Sequence, residues 1–216
     1  MVKDKKIYRI VFLGPQGSGK STQAKILAQK LNIPIISTGE MYRHEAKKKT
    51  IFAEQVSGYI NQGKLVPGEI TNALVKKRLA KKDCAKGFVL DGYPRTIDQA
   101  IDLDEMTKIT HVVLIDLADH EALYRISGRE VCPKCEEVYH FKFKPPKVDN
   151  QCDRCNIKLV TRRDDDEDAA LRKRLSIYRE EIGPIIERYQ NKKIIHEING
   201  FRNIPQVEAD VTKIFS

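Results

Sequence analysis

GPQGSGKST, residues 14–22, fits the phosphate-loop pattern G-x-x-x-x-G-K-S/T and stands between a predicted strand at 7–13 and a predicted helix at 23–31. In that setting the glycine backbone turns successive N–H groups towards an anion, and the helix N-terminus adds partial positive charge. Lys20 supplies a point charge for the outer phosphates, and Ser21 or Thr22 offers a hydroxyl to a phosphate-bound Mg²⁺. A glycine-rich turn without a ligand is the alternative, and the lysine and hydroxyl disfavour it. The segment therefore predicts a nucleoside triphosphate site.

Apolar runs alternate with amphipathic segments along most of the chain. Strands are predicted at 34–37, 87–91, 111–116 and 193–198, and helices at 40–49, 52–62, 68–82, 96–106, 119–129, 165–189 and 204–215. This alternation is typical of a parallel sheet that helices cover on both faces, with ligands beyond the carboxyl ends of the strands. We therefore predict an α/β fold of the P-loop NTPase type. Its segments that follow strand ends, 14–22, 37–38 and 91–95, should meet in one crevice.

The helix predicted at 165–189 carries a strong apolar stripe. Its members recur at intervals of three and four residues, as one face of a helix requires: Leu171, Leu175, Tyr178, Ile182, Ile185 and Tyr189. Pro184 lies within the stripe, and we expect it to bend the helix.

The composition is that of an ordinary globular chain with an excess of positive charge. Of its 216 residues, 41% are hydrophobic and 32% are charged, and the formal net charge is +9. That charge predicts an anionic partner, whether nucleotide, nucleic acid or acidic lipid, without choosing among them. No apolar run approaches the length of a membrane span, and the apolar stretch near the start is too short for a secretory signal. We therefore expect a cytoplasmic protein with no membrane partner.

Two C-x-x-C pairs interrupt the strand–helix alternation. Cys132 and Cys135 form the first pair, Cys152 and Cys155 form the second, and sixteen residues separate the pairs. The spacing fits a structural zinc site, in which four thiolates close a tetrahedron and leave no position for chemistry. An iron–sulfur cluster and two redox disulfides are the alternatives, and the spacing favours them less. One Zn²⁺ per chain is therefore predicted.

Five arginines stand where the predicted fold brings them near the crevice or the cysteine segment. Arg95 follows a strand end, Arg125 and Arg129 are four apart on one predicted helix, and Arg163 and Arg174 lie after the cysteines. Any one of these arginines alone is better interpreted as a solvated surface cation. For the five together, that interpretation is poor. Transfer of a phosphoryl group needs several positioned cations, because charge spreads over its equatorial oxygens. Since no Ser-His-Asp or paired-carboxylate arrangement is recognisable, the set predicts phosphoryl transfer.

With these segments the chain resembles the adenylate kinases, in their long form with a zinc-bearing lid, essentially from end to end. The matching segments are 14–22, STGEM-x-R at 37–43, KLV at 64–66, DGYPRT-x-x-Q at 91–99, GR at 128–129, YH at 139–140 and R-x-DD at 163–166. Their combination is far more specific than any one of them. The resemblance implies reversible phosphoryl transfer from MgATP to AMP, giving two molecules of ADP and serving adenine nucleotide homeostasis.

The resemblance also implies roles for individual residues. ATP binding is implied for Gly14, Gly17, Ser18, Gly19, Lys20, Ser21, Thr22, Arg125, Arg129, Tyr139, His140 and Arg202. AMP binding is implied for Thr38, Arg43, Lys64, Leu65, Val66, Gly92, Tyr93, Pro94, Arg95, Gln99, Arg163 and Arg174. Gln99 would read the adenine edge. The implied catalytic residues are Lys20, Arg95, Arg129, Arg163, Arg174 and Asp91. Asp91 would orient Mg²⁺ through water.

The same resemblance divides the chain into one kinase domain, 1–216, with a monophosphate-binding insertion at 37–66 and a zinc-binding lid at 130–162. The expected partners are ATP, AMP and ADP, not nucleic acid, and the expected state is a monomer. Three features depart from the family pattern. Ser21 stands where glycine is common, Tyr93 replaces the usual phenylalanine, and the adenine turn is formed by Phe201 and Arg202.

Three other interpretations stay open on the sequence alone. Among kinases, the alternatives are a GTP-using AMP kinase and a pyrimidine monophosphate kinase, although Thr38 and Gln99 favour AMP as acceptor. In another class, a basic zinc-ribbon ATPase that binds nucleic acid would explain the charge and the cysteines. It would leave 38–43 and 91–99 unexplained, because these segments line a second small-molecule site. ATP consumption without AMP would separate such a hydrolase from a kinase.

Overall fold

A central parallel sheet organises the chain, of which a computed structural model describes residues 6–46, 48, 50–61, 64–161 and 168–216. In chain order the strands are β1 (Tyr8–Leu13), β2 (Ile35–Ser37), β3 (Gly87–Asp91), β4 (His111–Asp116), β5 (Arg129–Val131), β6 (Val138–His140), β7 (Val160–Thr161) and β8 (Ile195–Asn199). Five of them form the central sheet in the order β2-β3-β1-β4-β8, with every neighbouring pair parallel. The predicted α/β class is confirmed, and each predicted strand occurs within two residues of its expected bounds.

Helices cover both faces of this sheet. In chain order they are α1 (Lys20–Leu31), α2 (Thr38–Ala46), α3 (Ile51–Asn61), α4 (Gly68–Leu79), α5 (Ile97–Met106), α6 (Asp119–Ser127), α7 (Asp168–Asn191) and α8 (Ile204–Lys213), with a short 3₁₀ turn at Lys82–Lys86. On one face α4, α5 and α7 bury Val75, Leu103 and Ile185, and on the other α1 and α8 bury Leu27 and Val207. Each such side chain contributes about 1.5–3 kcal/mol through burial. Within the described residues, no helix has the length and apolar character needed to cross a membrane.

The apolar stripe predicted for the long helix is the buried face of α7. Between Leu171 and Tyr189 its members are at most 9% exposed, apart from Tyr178, which packs partly buried against the same core. Pro184 lies inside the helix, and the bend expected there stays a prediction. The first three residues of the predicted helix, 165–167, lie outside the described residues.

Side-chain caps fix where two of the helices begin. The Thr96 hydroxyl accepts a hydrogen bond from the Gln99 backbone N–H at the start of α5. At the start of α8, the Asn203 side chain accepts from the Gln206 backbone N–H, and the Gln206 side chain accepts from that of Asn203. These caps satisfy N–H groups that the helix itself leaves unpaired. Thr96 is the residue directly after Arg95, and its cap also places Gln99 in the first turn of α5.

The helix predicted at 119–129 is two residues too long, and the expectation that Arg125 and Arg129 share a helix face is wrong. α6 ends at Ser127, and Arg129 begins β5, where it pairs with His140. Gly128 lies between the two elements, and the Phe141 ring packs where a Cβ of this residue would lie. Three other predicted helices end earlier than expected, at Ala46, Leu79 and Lys213.

The cysteine segment forms a structure of its own. Strands β5, β6 and β7 make a small antiparallel sheet in the order β6-β5-β7. Its first strand, β5, begins two residues after the end of α6, so the segment continues from the central domain without a long linker.

Candidate active site and metal centre

A cavity of about 1500 Å³ lies beyond the carboxyl ends of β1 and β3, facing the small sheet. Pockets for one small ligand are typically about 300–1,000 Å³, so this cavity has room for two ligands. Residues from 14–22, 37–43, 64–66 and 91–99 line it. The strand-end segments therefore lie around one cavity, as the sequence predicts.

The phosphate loop brings its backbone close to two neighbouring elements. Gly17 has a φ of 80°, a conformation that residues with a Cβ rarely adopt. A Cβ on Gly14 would lie 2.4 Å from the Ile115 carbonyl oxygen, and one on Gly17 would lie 2.8 Å from that of Ala122. Glycine is therefore required here because β4 and α6 pack directly against the loop.

Positive charge converges on Lys20, the first residue of α1. Burial lowers the pKa of its ammonium from 10.5 to about 8, and Asp91 opposes that shift. The guanidinium groups of Arg95, Arg174 and Arg129 lower the pKa further. Four cationic side chains around one point, with the Asp91 carboxylate among them, suit a bound polyanion such as the phosphates of a nucleotide.

Asp91 ends β3 on the cavity wall and is 5% exposed. Its Oδ1 atom is buried and has no hydrogen-bond partner among the described residues. A buried carboxylate oxygen is costly without a partner. A Mg²⁺ ion, which prefers oxygen ligands and usually keeps several waters, fits this position beside the phosphate loop.

On the opposite side of the cavity, the loop after β3 is locked to α2. The Thr38 hydroxyl and Arg95 Nε both donate to the Gly92 carbonyl oxygen, each at 2.8 Å. Gly92 has a φ of 80°, and a Cβ there would lie 2.9 Å from Thr38 Oγ1. Gln99 accepts a 2.8 Å hydrogen bond at Oε1 from the Arg95 backbone N–H. This bond turns the other end of the amide, Nε2, to the cavity.

Arg43 on α2 reaches across the cavity to the cysteine segment. Its Nε atom lies 3.3 Å from Oε2 of Glu136, which follows the first cysteine pair. A partly exposed ion pair of this kind contributes about 0–1 kcal/mol. An incoming phosphate can therefore replace Glu136 as the partner of Arg43 at little cost.

Arg125 joins α6 to the turn after β8 and to the cysteine segment. Its two Nη atoms donate to the carbonyl oxygens of Gly200 at 2.9 Å and Phe201 at 3.3 Å, and its Nε donates to Glu121 at 2.8 Å. The guanidinium lies 4.9 Å from the centroid of the Phe143 ring. Flat guanidinium and aromatic groups are suited to stacking against a nucleobase.

Most of the residues predicted to bind nucleotides lie on the wall of the cavity. They are Gly14, Gly17, Gly19, Lys20, Ser21, Thr22, Arg43, Lys64, Leu65, Val66, Asp91, Gly92, Pro94, Arg95, Gln99, Arg125, Arg129, Tyr139, His140, Arg174 and Arg202. Ser18, Thr38 and Tyr93 are buried behind the wall. Arg163 lies outside the described residues, so its role stays a prediction.

The sequence reasoning missed wall residues contributed by the cysteine segment, among them Glu136, Lys142 and Phe143. Phe143 had a signal, since the aromatic run at 140–143 continues the matching pair at 139–140. Glu136 had none. It faces Arg43 because the turn after the first cysteine pair adopts a left-handed conformation, with φ 58° at Glu136.

Four cysteine sulfurs form a second site within the small sheet. The Sγ atoms of Cys132, Cys135, Cys152 and Cys155 all lie within 4.8 Å of one another, and all four cysteines are free thiols. Sulfurs about 2.3 Å from a tetrahedral Zn²⁺ would be about 3.8 Å apart. The Sγ atoms of Cys135 and Cys152 are 3.6 Å apart. The four sulfurs are therefore positioned to hold one metal ion.

The two cysteine pairs share the same backbone turn. The Glu136 N–H donates to the Cys132 carbonyl oxygen at 3.0 Å, and the Asn156 N–H donates to that of Cys152 at 2.9 Å. Glu136 and Asn156 both adopt the left-handed conformation, with φ of 58° and 55°. Tyr139, buried between the pairs, donates its hydroxyl to Cys152 Sγ at 3.5 Å. Two equivalent turns thus aim the sulfurs at one point.

Comparisons with known proteins concern nearly the whole chain. A family model described as adenylate kinase matches residues 12–194. An adenylate kinase of Clostridium botulinum (strain Langeland) is 43% identical over 211 residues, which cover 95% of this chain and 97% of that protein. Adenylate kinases of Caldanaerobacter subterraneus subsp. tengcongensis and Methanocella arvoryzae are 43% and 42% identical. Their alignments cover 95% and 94% of this chain and 95% and 96% of those proteins.

Proposed function

The chain belongs to the adenylate kinase family, and on that premise we propose how its own residues carry the family's reaction. The reaction is phosphoryl transfer between ATP and AMP, giving two molecules of ADP. One observation carries the proposal. The phosphate loop and the segment from Gly92 to Gln99 open from opposite sides into one cavity, with the cations around Lys20 between them.

The phosphate loop is the proposed donor side. Its backbone N–H groups and the N-terminus of α1 hold the ATP phosphates, and Lys20 adds a charge to the outer ones. The proposed base site is formed by Arg125 and Phe143, beside the turn at Gly200 and Phe201. Mg²⁺, when bound with ATP, supplies further positive charge to the phosphate oxygens, and Asp91 is placed to orient it through water.

The opposite side of the cavity is the proposed acceptor site. Arg43 and Arg95 pair with the phosphate of AMP, and Gln99 reads the adenine edge with the end of its amide that faces the cavity. Lys64, Leu65 and Val66 close this side. The acceptor oxygen is already anionic, so no general base is required for its attack.

The group in transit passes between the two sites. Lys20, Arg95, Arg129 and Arg174 surround that point, and they stabilise the charge that spreads over its equatorial oxygens. Arg163, predicted to join them, is part of the proposal on sequence grounds alone. Water would compete with AMP for the phosphoryl group, so the cavity has to be closed during transfer.

The cysteine segment is the proposed lid over the donor side. Glu136, Tyr139 and Phe143 already contribute to the cavity wall from that segment. We propose that Zn²⁺ is the ion held by the four cysteines, because four thiolates with no open position are typical of structural zinc. Metal binding would make the lid one rigid body, since the segment has little apolar core of its own.

A matrix of four nucleoside triphosphates against four monophosphates tests the substrates, with formation of the two nucleoside diphosphates of each pair as the readout. The proposal expects the highest kcat/KM for ATP with AMP. Higher activity with GTP or with a pyrimidine monophosphate would instead support one of the two alternative kinases. Consumption of ATP that does not depend on any acceptor would support the ATPase.

Lys20→Ala tests the central role within the site. We expect kcat to fall by about 10²-fold or more, because the charge acts on the group in transit and not only on bound ATP. Lys30→Ala is the matched control, on the same helix but outside the cavity, where Lys30 pairs with Glu208. Near-normal turnover of Lys20→Ala at saturating nucleotide would contradict the assignment.

A further inference from the structure

A chain of buried and partly buried hydrogen bonds runs behind the AMP side of the cavity. The Tyr93 hydroxyl lies 2.8 Å from Oδ1 of Asn72 and 3.1 Å from the carbonyl oxygen of Gln99. Asn72 in turn donates from Nδ2 to the Asp102 carboxylate. Tyr93 follows β3, Asn72 lies on α4, and Gln99 and Asp102 lie three apart on α5. The chain therefore ties two helices to the loop that carries Arg95.

The direction of each hydrogen bond in this chain is fixed by its chemistry. The Asp102 carboxylate only accepts, so the Asn72 amide turns its NH₂ group to Asp102 and its oxygen to Tyr93. Tyr93 is fully buried, and burial raises the pKa of its hydroxyl, with smaller contributions from Asp102 and Tyr42. The hydroxyl therefore stays protonated, and its single proton lies between two acceptors, Asn72 Oδ1 at 2.8 Å and the more distant Gln99 carbonyl oxygen at 3.1 Å.

Gln99 is the residue on which these contacts converge. Its backbone N–H donates to Thr96, its backbone carbonyl faces the Tyr93 hydroxyl, and its side-chain Oε1 accepts from the Arg95 N–H. A flipped amide would place two donors, Nε2 and the Arg95 N–H, against each other. The orientation of Gln99 is therefore set, and Nε2 is the end presented to the cavity.

The same chain reaches the other half of the AMP site. Thr71 precedes Asn72 on α4, and its hydroxyl lies 2.6 Å from that of Tyr42 on α2. Tyr42 is followed by Arg43, the proposed partner of the AMP phosphate. Adjacent residues on α4 thus connect the element that carries Arg43 with the element that carries Gln99.

We propose that Tyr93, Asn72 and Asp102 are positioning residues that hold Gln99 so that the acceptor site distinguishes a 6-amino purine from a 6-oxo purine. The inference rests on the proposed function. In AMP, adenine N1 is an acceptor that suits the Gln99 Nε2–H, and the 6-amino group is a donor that suits the second lone pair of Oε1, beside the one that accepts from the Arg95 N–H. In IMP, N1 carries a hydrogen and position 6 carries an oxygen, so donor faces donor and acceptor faces acceptor. Discrimination then depends on the amide staying in its set orientation.

Tyr93→Phe tests the inference, because it removes only the hydroxyl. At saturating MgATP, we expect kcat/KM for AMP to fall about tenfold, with kcat falling less than kcat/KM. The ratio of kcat/KM for AMP to that for IMP should fall at least about fivefold. Tyr189→Phe is the matched control, because Tyr189 is equally buried in the same core and its hydroxyl has no hydrogen-bond partner among the described residues. That variant should keep the ratio of the wild type.

Asp102→Asn tests the same chain without touching an aromatic ring. It removes the group that fixes the Asn72 amide, so the AMP-to-IMP ratio should fall in the same direction as in Tyr93→Phe. The contrary outcome is that both variants lose thermal stability but keep the wild-type AMP-to-IMP ratio of kcat/KM within twofold. In that case the hydrogen-bond chain has only a structural role, and the inference is overturned. A wild type that phosphorylates AMP and IMP equally well would also overturn it. A wild type inactive on AMP would instead reject the proposed function.

Discussion

Lys20 is the residue at which the local backbone and the charge of the cavity meet. Its position as the first residue of α1 places the ammonium beside the loop, where it donates to the Pro15 carbonyl at 2.9 Å. Burial and three neighbouring arginines make the charged form costly, which lowers its pKa to about 8. That cost is relieved when phosphates enter the cavity, because their negative charge favours the ammonium.

We therefore expect ATP binding to take up a proton near pH 8. The free protein has Lys20 about half deprotonated at that pH, while the bound state keeps it protonated, so uptake should be about half a proton per site. Because the bound state holds more protons, affinity for ATP should fall as pH rises above 8. Titration calorimetry in two buffers of different ionisation enthalpy measures the uptake. Lys20→Arg, whose guanidinium does not titrate, should abolish it, and uptake that survives in this variant would contradict the explanation.

At the scale of elements, the sequence predicted the features that depend on hydrophobic periodicity and on the spacing of glycines. The strands, the phosphate loop and the buried stripe of α7 are of this kind, since each depends on local spacing and burial. The exchange of helix for strand between Ser127 and Arg129 was missed, because it depends on the pairing of β5 with β6, in which Arg129 lies opposite His140. The contact between Arg43 and Glu136 was also missed, because it joins residues 93 positions apart and local sequence patterns carry no information about it.

The metal centre gives a prediction for the small sheet. Purified protein should contain one Zn²⁺ per chain by elemental analysis, and removing it with a chelator should lower the melting temperature. Cys152→Ser should lose most of the bound metal. Cys84→Ser is the matched control, because Cys84 lies outside the cluster, and it should keep one ion per chain. Protein that holds no stoichiometric zinc, and whose four thiols all react freely in the folded state, would contradict the prediction.

The lid gives a second prediction at this scale. Replacing residues 131–161 with a short flexible linker removes Tyr139, Phe143 and Glu136 from the cavity wall but leaves Gln99 and Arg95 in place. AMP binding should therefore stay close to that of the wild type, while ADP formation collapses and the ratio of ATP hydrolysis to ADP formation rises. Calorimetry and product analysis measure these quantities. Unchanged turnover without added hydrolysis would make the segment only a stabilising clip.

At the scale of the whole molecule, the parallel sheet brings two half-sites together. The donor loop follows β1 and the acceptor loop follows β3, and these strands are neighbours in the sheet. In the proposed function, the carboxyl ends of these strands would therefore place the phosphates of ATP and AMP on either side of the same cations. Family membership and the geometry of the cavity agree on one reaction, which has no step that consumes water.

The most direct test of this account starts from ADP alone. With Mg²⁺ and ADP as the only nucleotide, the protein should form ATP and AMP in equal amounts, and it should stop at an equilibrium mixture of all three. Separation of the nucleotides over time measures the three concentrations. Lys20→Ala should approach the same mixture far more slowly. Accumulation of AMP and free phosphate without ATP, or no reaction from ADP while ATP is consumed, would contradict phosphoryl transfer between two nucleotides in this cavity.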